Sequence, residues 1–220
     1  MKIKFLGHAC FLLDDGAHKV LTDPFLTGNG LAAAKAEEVE ADFLFVTHGH
    51  SDHTGDAAEI AKRTGAPVCC MVDLADAVFG PAGLSVMVGN IGGRIPTAFG
   101  SAKMVSAIHG SGVPGGLACG FVFDMGGKRI YHAGDTALTS DMAFLAEENI
   151  DVALLPIGDL FTMGPKDALR AVEMIKPKLV IPMHYNTFPP ITQDADAFVE
   201  QVRKLGVEAH ALKPGEELEV

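Results

Sequence analysis

Thr47-His48-Gly49-His50-Ser51-Asp52-His53 packs three histidines and a carboxylate into seven residues, and all four side chains can hold a metal ion. The apolar run Phe43-Leu44-Phe45-Val46 leads in and reads as a buried strand. The small-residue stretch Thr54–Thr64 leads out and reads as a helix. The four groups therefore sit on a loop at a strand's carboxyl end, where open α/β sheets place their chemistry. An extended strand would send alternate side chains to opposite faces, so a tight turn must bring these together. An exposed turn draws on Gly, Pro, Asn, Asp and Ser and has no use for three imidazoles.

Outward from this cluster, further His and Asp residues recur at the ends of apolar runs. Asp23 ends Val20-Leu21-Thr22, and His109 ends Met104–Ile108. Asp135 follows Ile130–Gly134, and His184 follows Val180–Met183. Ligands for a borderline metal must be held by stiff elements yet exposed at their ends. One such residue is weak evidence, but four in series beside a dense cluster are strong evidence.

The order of elements is strands then helices, twice. In the first half, Lys2–Leu6, Cys10–Leu13 and Lys19–Thr22 read as strands, with Asp15-Gly16 as a hairpin signal. Asn29 to Glu40 reads as loop with some helix, Pro67–Val72 as a strand, and Val86–Ile95 as a hairpin. In the second half, strands are expected at Lys103–Ile108, Leu117–Asp124, Arg129–His132, Val152–Pro156 and Leu179–Pro182. Closing strands follow at Val207–Leu212 and Glu217–Val220. Helices are expected at Ser140–Glu148 with Ser140 as N-cap, at Pro165–Ile175 and at Asp194–Leu205. Two sheets with helices outside, a four-layer αββα sandwich, accommodate this order. No Ser/Gly/Pro linker divides the halves, so residues 1–220 are expected to form one domain.

Composition narrows the function. The net charge of -11, with no basic block, argues against a nucleic-acid partner. No run approaches the ~20 apolar residues of a membrane span. Cys10, Cys69, Cys70 and Cys119 lack zinc-ribbon spacing and a disulfide-framework pattern, which points to a reducing cytoplasm. A small-molecule substrate is the expected partner, and a homo-oligomer is compatible with the composition.

On these residues the chain resembles a metallo-β-lactamase-superfamily hydrolase over nearly its whole length. The signal is His-x-His-x-Asp-His at His48–His53, then His109, Asp135 and His184 in order. Leu6-Gly7-His8-Ala9-Cys10, Leu21-Thr22-Asp23-Pro24, Gly158–Pro165 and His184–Pro189 resemble a branch of uncharacterised metal-dependent hydrolases. That branch lies near the ascorbate-phosphate lactonases and, more remotely, the N-acylphosphatidylethanolamine-type phospholipases D. The resemblance implies two divalent metals, zinc first, with manganese or iron as alternatives. It pairs His48, His50 and His109 on one metal and Asp52, His53 and His184 on the other, with Asp135 as bridge. Asp23 would bond a ligand or the loop that carries it.

His50 bears on the chemistry, because redox di-iron members of the superfamily usually carry Glu there; hydrolysis is therefore preferred to electron transfer. The implied nucleophile is metal-activated hydroxide, with Asp52 as its orienting and proton-carrying residue. The substrate would be a small ester, lactone or phosphodiester. The competing reading is a metal-binding sensor without turnover, which would not need an open metal position. His8 is expected at the site mouth, and His132 as a structural residue inside a strand end. Substrate contacts are sought in Gly158–Gly164, with Asp159 and Phe161, and in Tyr185–Phe188, with Tyr185 and Asn186. Asp159 has an even alternative as a cap of the Pro165 helix.

Overall fold

The computed structural model describes residues 1–220. It opens with a meander of β1 (Lys2–Gly7), β2 (Cys10–Asp14) and β3 (Lys19–Thr22). Three parallel strands then extend it: β4 (Phe43–Phe45), β5 (Val68–Met71) and β6 (Val86–Gly89). The second sheet repeats the plan. Its antiparallel strands are β7 (Arg94–Thr97), β8 (Gly100–Ser106), β9 (Cys119–Met125) and β10 (Lys128–His132). Its parallel strands are β11 (Val152–Pro156), β12 (Leu179–Met183) and the short β13 (Glu208–Ala209). The chain finally returns to the first sheet, where β14 (Glu217–Glu219) pairs antiparallel with β1. Helices cover the outer faces, giving the αββα sandwich.

The two inner faces close on one core of 63 buried residues. Phe45 of β4 meets Phe121 and Phe123 of β9 edge-on, at centroid separations of 5.1 and 4.9 Å. Edge-to-face contacts of this kind add to the gain from burial and fix how one sheet sits on the other. All four cysteines are buried and free. No helix is long and apolar enough to cross a membrane.

The register positions the site. Alternate strands of an antiparallel meander run the same way, so β1, β3 and β4 share a direction in the first sheet. By the same logic β8, β10, β11 and β12 share one in the second. Their carboxyl ends meet at one rim, and His8, Asp23, His48, His109, Asp135 and His184 each follow one of those ends.

Several expectations change. Val86–Ile95 is not a hairpin. Its turn residues do reverse the chain, but β6 pairs with β5 and β7 pairs with β8 in the other sheet. The turn therefore links two sheet edges, and a Cβ on Gly89 would come within 2.8 Å of Met104 Sδ. Helix Thr54–Thr64 is two pieces, α1 (Ser51–Thr54) and α2 (Ala57–Thr64). Gly55 breaks it at φ +36°, and any Cβ there would collide with the Pro24 carbonyl. A helical turn at Val72–Leu74 (α3), continued by a π turn over Ala75–Phe79, went unanticipated. Ser140–Glu148 is helical but 3₁₀ in type, and Thr139, not Ser140, is its N-cap. Helices α4 (Pro165–Ile175) and α5 (Ala195–Lys204) agree, with Asp194 Oδ1 capping α5 by accepting from Ala197 N–H at 2.9 Å.

Candidate metal centre

The cluster is assembled by hydrogen bonds that begin at Asp23. This residue is fully buried and left-handed at φ +37°. Its Oδ1 accepts from Thr47 N–H and its Oδ2 from Thr47 Oγ1 and His53 Nδ1, each at 2.8 Å. A carboxylate can only accept, so His53 carries its proton on Nδ1 and turns Nε2 into the site. Thr47 Oγ1 donates to Asp23 and is 3.0 Å from His48 Nδ1, so it accepts that N–H and leaves the His48 Nε2 lone pair facing the cluster. Thr47 and His48, just past β4, and His53 of α1 are thereby oriented by one buried carboxylate.

Two groups of donor atoms converge. In the first, His48 Nε2 lies 2.9 Å from His50 Nδ1, which is 3.3 Å from His109 Nε2. Lone pairs this close repel unless a proton or a metal ion lies among them. In the second, His8, Asp52, His53 and His184 each bring a donor atom within reach of one ion. Asp135 stands between the groups. Its Oδ1 is 3.3 Å from His53 Nε2, and its Oδ2 is 3.1 Å from His184 Nε2 and 3.4 Å from His109 Nε2. His53 Nε2, Asp135 Oδ1 and His184 Nε2 are buried yet lack any hydrogen-bond partner. Each such orphan costs about 1–3 kcal/mol, a cost that a coordinated cation removes. The donor set and its orphaned atoms fit divalent metal ions.

The electrostatics point the same way. Burial pushes the His48 imidazole down to about 3 and the His8 imidazole down to about 4, so both are neutral near pH 7. Burial also works to neutralise Asp135, but the His53 and His184 imidazoles beside it outweigh that and hold it well below the usual carboxylate range. His53 shows the converse. Burial lowers it, yet Asp135 and Asp23 on its two sides raise it well above the ordinary imidazole value. The two carboxylates thus favour a proton on His53, and metal binding there would release it.

Backbone strain is concentrated here. His8, Asp23 and His184 all have positive φ, at +57°, +37° and +55°. Non-glycine residues held there cost of order 1–3 kcal/mol each, which cores tolerate mainly at functional sites. Two turns depend on glycine. A Cβ on Gly112 (φ +72°) would strike the backbone of Gly49 and His50, and one on Gly158 would strike the His184 carbonyl.

The sequence-predicted residues fall into three sets. His48, His50, Asp52, His53, His109, Asp135 and His184 come together at the rim. His8 joins them more closely than a mouth position implies. It is buried, its ring lies 4.0 Å from that of His184, and its Nε2 is 3.2 Å from Asp52 Oδ2. Its Nδ1 meets Thr187 Oγ1 at 2.9 Å. Phe161 lines the cleft of about 260 Å³ over the cluster. Asp159, Tyr185 and Asn186 do not. Asp159 is exposed and accepts from Leu160 N–H at 2.9 Å; the N-cap of α4 is Gly164, so Asp159 is not its cap. Asn186 Oδ1 accepts from Gln193 N–H at 2.8 Å and so ties its own loop. Tyr185 and Asn186 face a separate cleft of about 710 Å³ beside α5. The positive φ of Asn186 turns the chain there, and Phe188, not singled out from the sequence, takes the cleft position over the cluster. His132 is internal as expected, with Nε2 donating to the Ala9 carbonyl at 2.9 Å.

A two-sheet sandwich with a His/Asp cluster at its strand ends is the metallo-β-lactamase fold. A profile of the beta-lactamase superfamily domain matches residues 2–184. A UPF0173 metal-dependent hydrolase of Thermus thermophilus is 50% identical over 222 residues, covering 99% of this chain and 98% of its own. One of Thermococcus onnurineus is 50% identical over 228 residues, covering 100% of both. Among solved structures, Igni18, described as a metallo hydrolase from the archaeon Ignicoccus hospitalis, superposes with a TM-score of 0.92 at 34% identity, covering 99% of this chain and 97% of that one. The chain belongs to the β-lactamase superfamily and, within it, to the UPF0173 metal-dependent hydrolases.

Proposed function

We propose that this hydrolase uses two divalent metal ions to cleave a small ester, lactone or phosphodiester. The observation that carries the reading is Asp135, whose carboxylate reaches both groups of imidazole nitrogens: Oδ1 faces His53, and Oδ2 faces His184 and His109. His48, His50 and His109 would hold one ion, Asp52, His53 and His184 the other, and Asp135 would join both. The imidazole-rich set suits zinc, with manganese or iron as alternatives. Such ions, when bound, acidify water and polarise the bond to be cleaved.

The chain's own residues do the rest. Asp52 lines the cleft and would orient the attacking water and take its proton on a carboxylate oxygen. His8 Nε2 donates to Asp52 Oδ2 and fixes that carboxylate, while Thr187 anchors the far side of the His8 ring. Asp23 and Thr47 hold the His53 and His48 rings from behind. The net charge of -11 supports a small substrate over a polyanion. One core spanning both sheets supports a single domain, and four free buried thiols suit a reducing cytoplasm.

The test is reconstitution of metal-free protein with zinc, manganese or iron(II), followed by elemental analysis and a panel of esters, lactones and phosphodiesters. Two equivalents of metal and turnover of one class are expected. Saturation at one equivalent overturns the dinuclear reading. Full loading without turnover of any class overturns the substrate reading.

A further inference from the structure

We infer that the substrate is an uncharged ester or lactone whose non-reacting part is apolar, and that Phe161 and Phe188 seat that part. This rests on the hydrolase reading above and narrows it. Setting aside the His and Asp side chains of the cluster, the cleft wall is Phe161 and Phe188 and contains no Lys or Arg. A terminal phosphate or carboxylate on a substrate needs a cation or a fork of N–H donors to replace its lost water. Here the wall away from the His and Asp side chains supplies neither, and the ions the cluster would hold are engaged by the reacting ester group. An anionic tail seated against Phe161 and Phe188 would thus lose its hydration with nothing to replace it. An alkyl or aryl group would be desolvated favourably by the two rings.

The loops beside the cleft also carry exposed apolar groups. Of the large hydrophobic side chains that stand exposed, four lie on the loops that flank the cluster. Ile108 and Leu117 are 57% and 58% exposed, and Leu160 and Phe161 67% and 55%. Thr136, one residue beyond Asp135, binds the bases of both loops. Its Oγ1 accepts from Ile108 N–H at 3.0 Å, and its carbonyl accepts from Met163 N–H at 2.9 Å. Ile108 and the Leu160-Phe161 turn therefore rise on either side of one strand end. Leu160 has φ +48°, a conformation its side chain disfavours, so the turn holds these apolar groups outward at a cost. Phe188 is fixed differently, edge-on to the His8 ring at 5.7 Å, so its position is coupled to the cluster. A cleft with a polar reacting end and an apolar remainder is the usual form of a small-molecule site.

The experiment compares p-nitrophenyl hexanoate, the p-nitrophenyl half-ester of succinate and bis-p-nitrophenyl phosphate on the metal-loaded protein. Binding of 4-phenyl-2-butanone, a ketone that cannot be hydrolysed, is followed in parallel by saturation-transfer NMR. We expect kcat/KM for the hexanoate to exceed that for the succinate half-ester by at least about tenfold, since each methylene in an apolar pocket is worth about that much. Phe161→Ala should erase most of this preference with metal content unchanged, and should weaken ketone binding. Equal or greater activity on the succinate half-ester or the phosphodiester overturns the inference while leaving the hydrolase standing. A ketone that binds to a protein which turns over none of the three upholds the apolar cleft and overturns the ester-hydrolase reading. A ketone that does not bind, or binds Phe161→Ala equally well, overturns the inference.

Discussion

Asp23→Asn should weaken metal binding although Asp23 is itself no ligand. The substitution keeps the size of the side chain, and Asn tolerates the left-handed backbone at φ +37° better than most residues, so the backbone is not the variable. The hydrogen-bond inventory is. The carboxylate accepts three bonds of 2.8 Å, two from Thr47 and one from His53. An amide has one oxygen. If that oxygen keeps Thr47 N–H, the NH₂ group points at His53 Nδ1, which must then accept and move its proton to Nε2. Nε2 is the atom that would meet the metal. If the amide flips, its NH₂ opposes the Thr47 N–H and two donors clash in a fully buried place. Losing a hydrogen bond to a charged group costs about 1.5–3 kcal/mol. On metal affinity the expected loss is about 10–100-fold, equivalent to about 1.4–2.7 kcal/mol. The assay is competition for zinc against a chromophoric chelator, wild type against variant. Thermal melting of the metal-free forms should show a fall of about 3–10 °C for a chain of this length. Thr47→Val is the control. It removes the hydroxyl that orients His48 but leaves Asp23 to His53, so it should cost less. Metal affinity of Asp23→Asn within threefold of wild type would refute this account of how the imidazoles are held.

Three further outcomes follow from the same geometry. Asp135→Ala should lower metal content at both positions, whereas His48→Ala should remove about one equivalent, as read by elemental analysis after reconstitution. Gly112→Ala should leave the fold in place but disturb His50, because the new Cβ meets the Gly49 and His50 backbone; circular dichroism should stay native while about one equivalent of metal is lost. Metal-free protein should lose stability as pH falls from about 6.5 towards 3, measured as a falling urea midpoint. The sign is fixed by His8 and His48, pushed down to about 4 and 3, and by Asp135, held below the usual carboxylate range. In each case the unfolded chain takes up a proton that the folded chain refuses, and a midpoint that rises on acidification would contradict this.

The sequence by itself determined the sandwich, the family and the seven residues of the cluster. Strand periodicity and punctuation by glycine are local, and a ligand at a strand's end is positioned by that strand's own run. His48–His53, His109, Asp135 and His184 could therefore be read one segment at a time. Contacts between distant segments could not. Whether Val86–Ile95 closes on itself or bridges two sheets depends on which edges lie nearby, and that is a property of the packed core. Whether a loop residue faces the cluster depends on single φ angles. Asn186 turns outward at +61° and takes Tyr185 and itself to the cleft beside α5, leaving Phe188 over the cluster. The depth of His8 was likewise invisible. Its ring is packed by His184 and Phe188 and bonded by Asp52 and Thr187, which lie 44 and 179 positions away in the chain and reach it only because β1, β4 and β12 end at one rim.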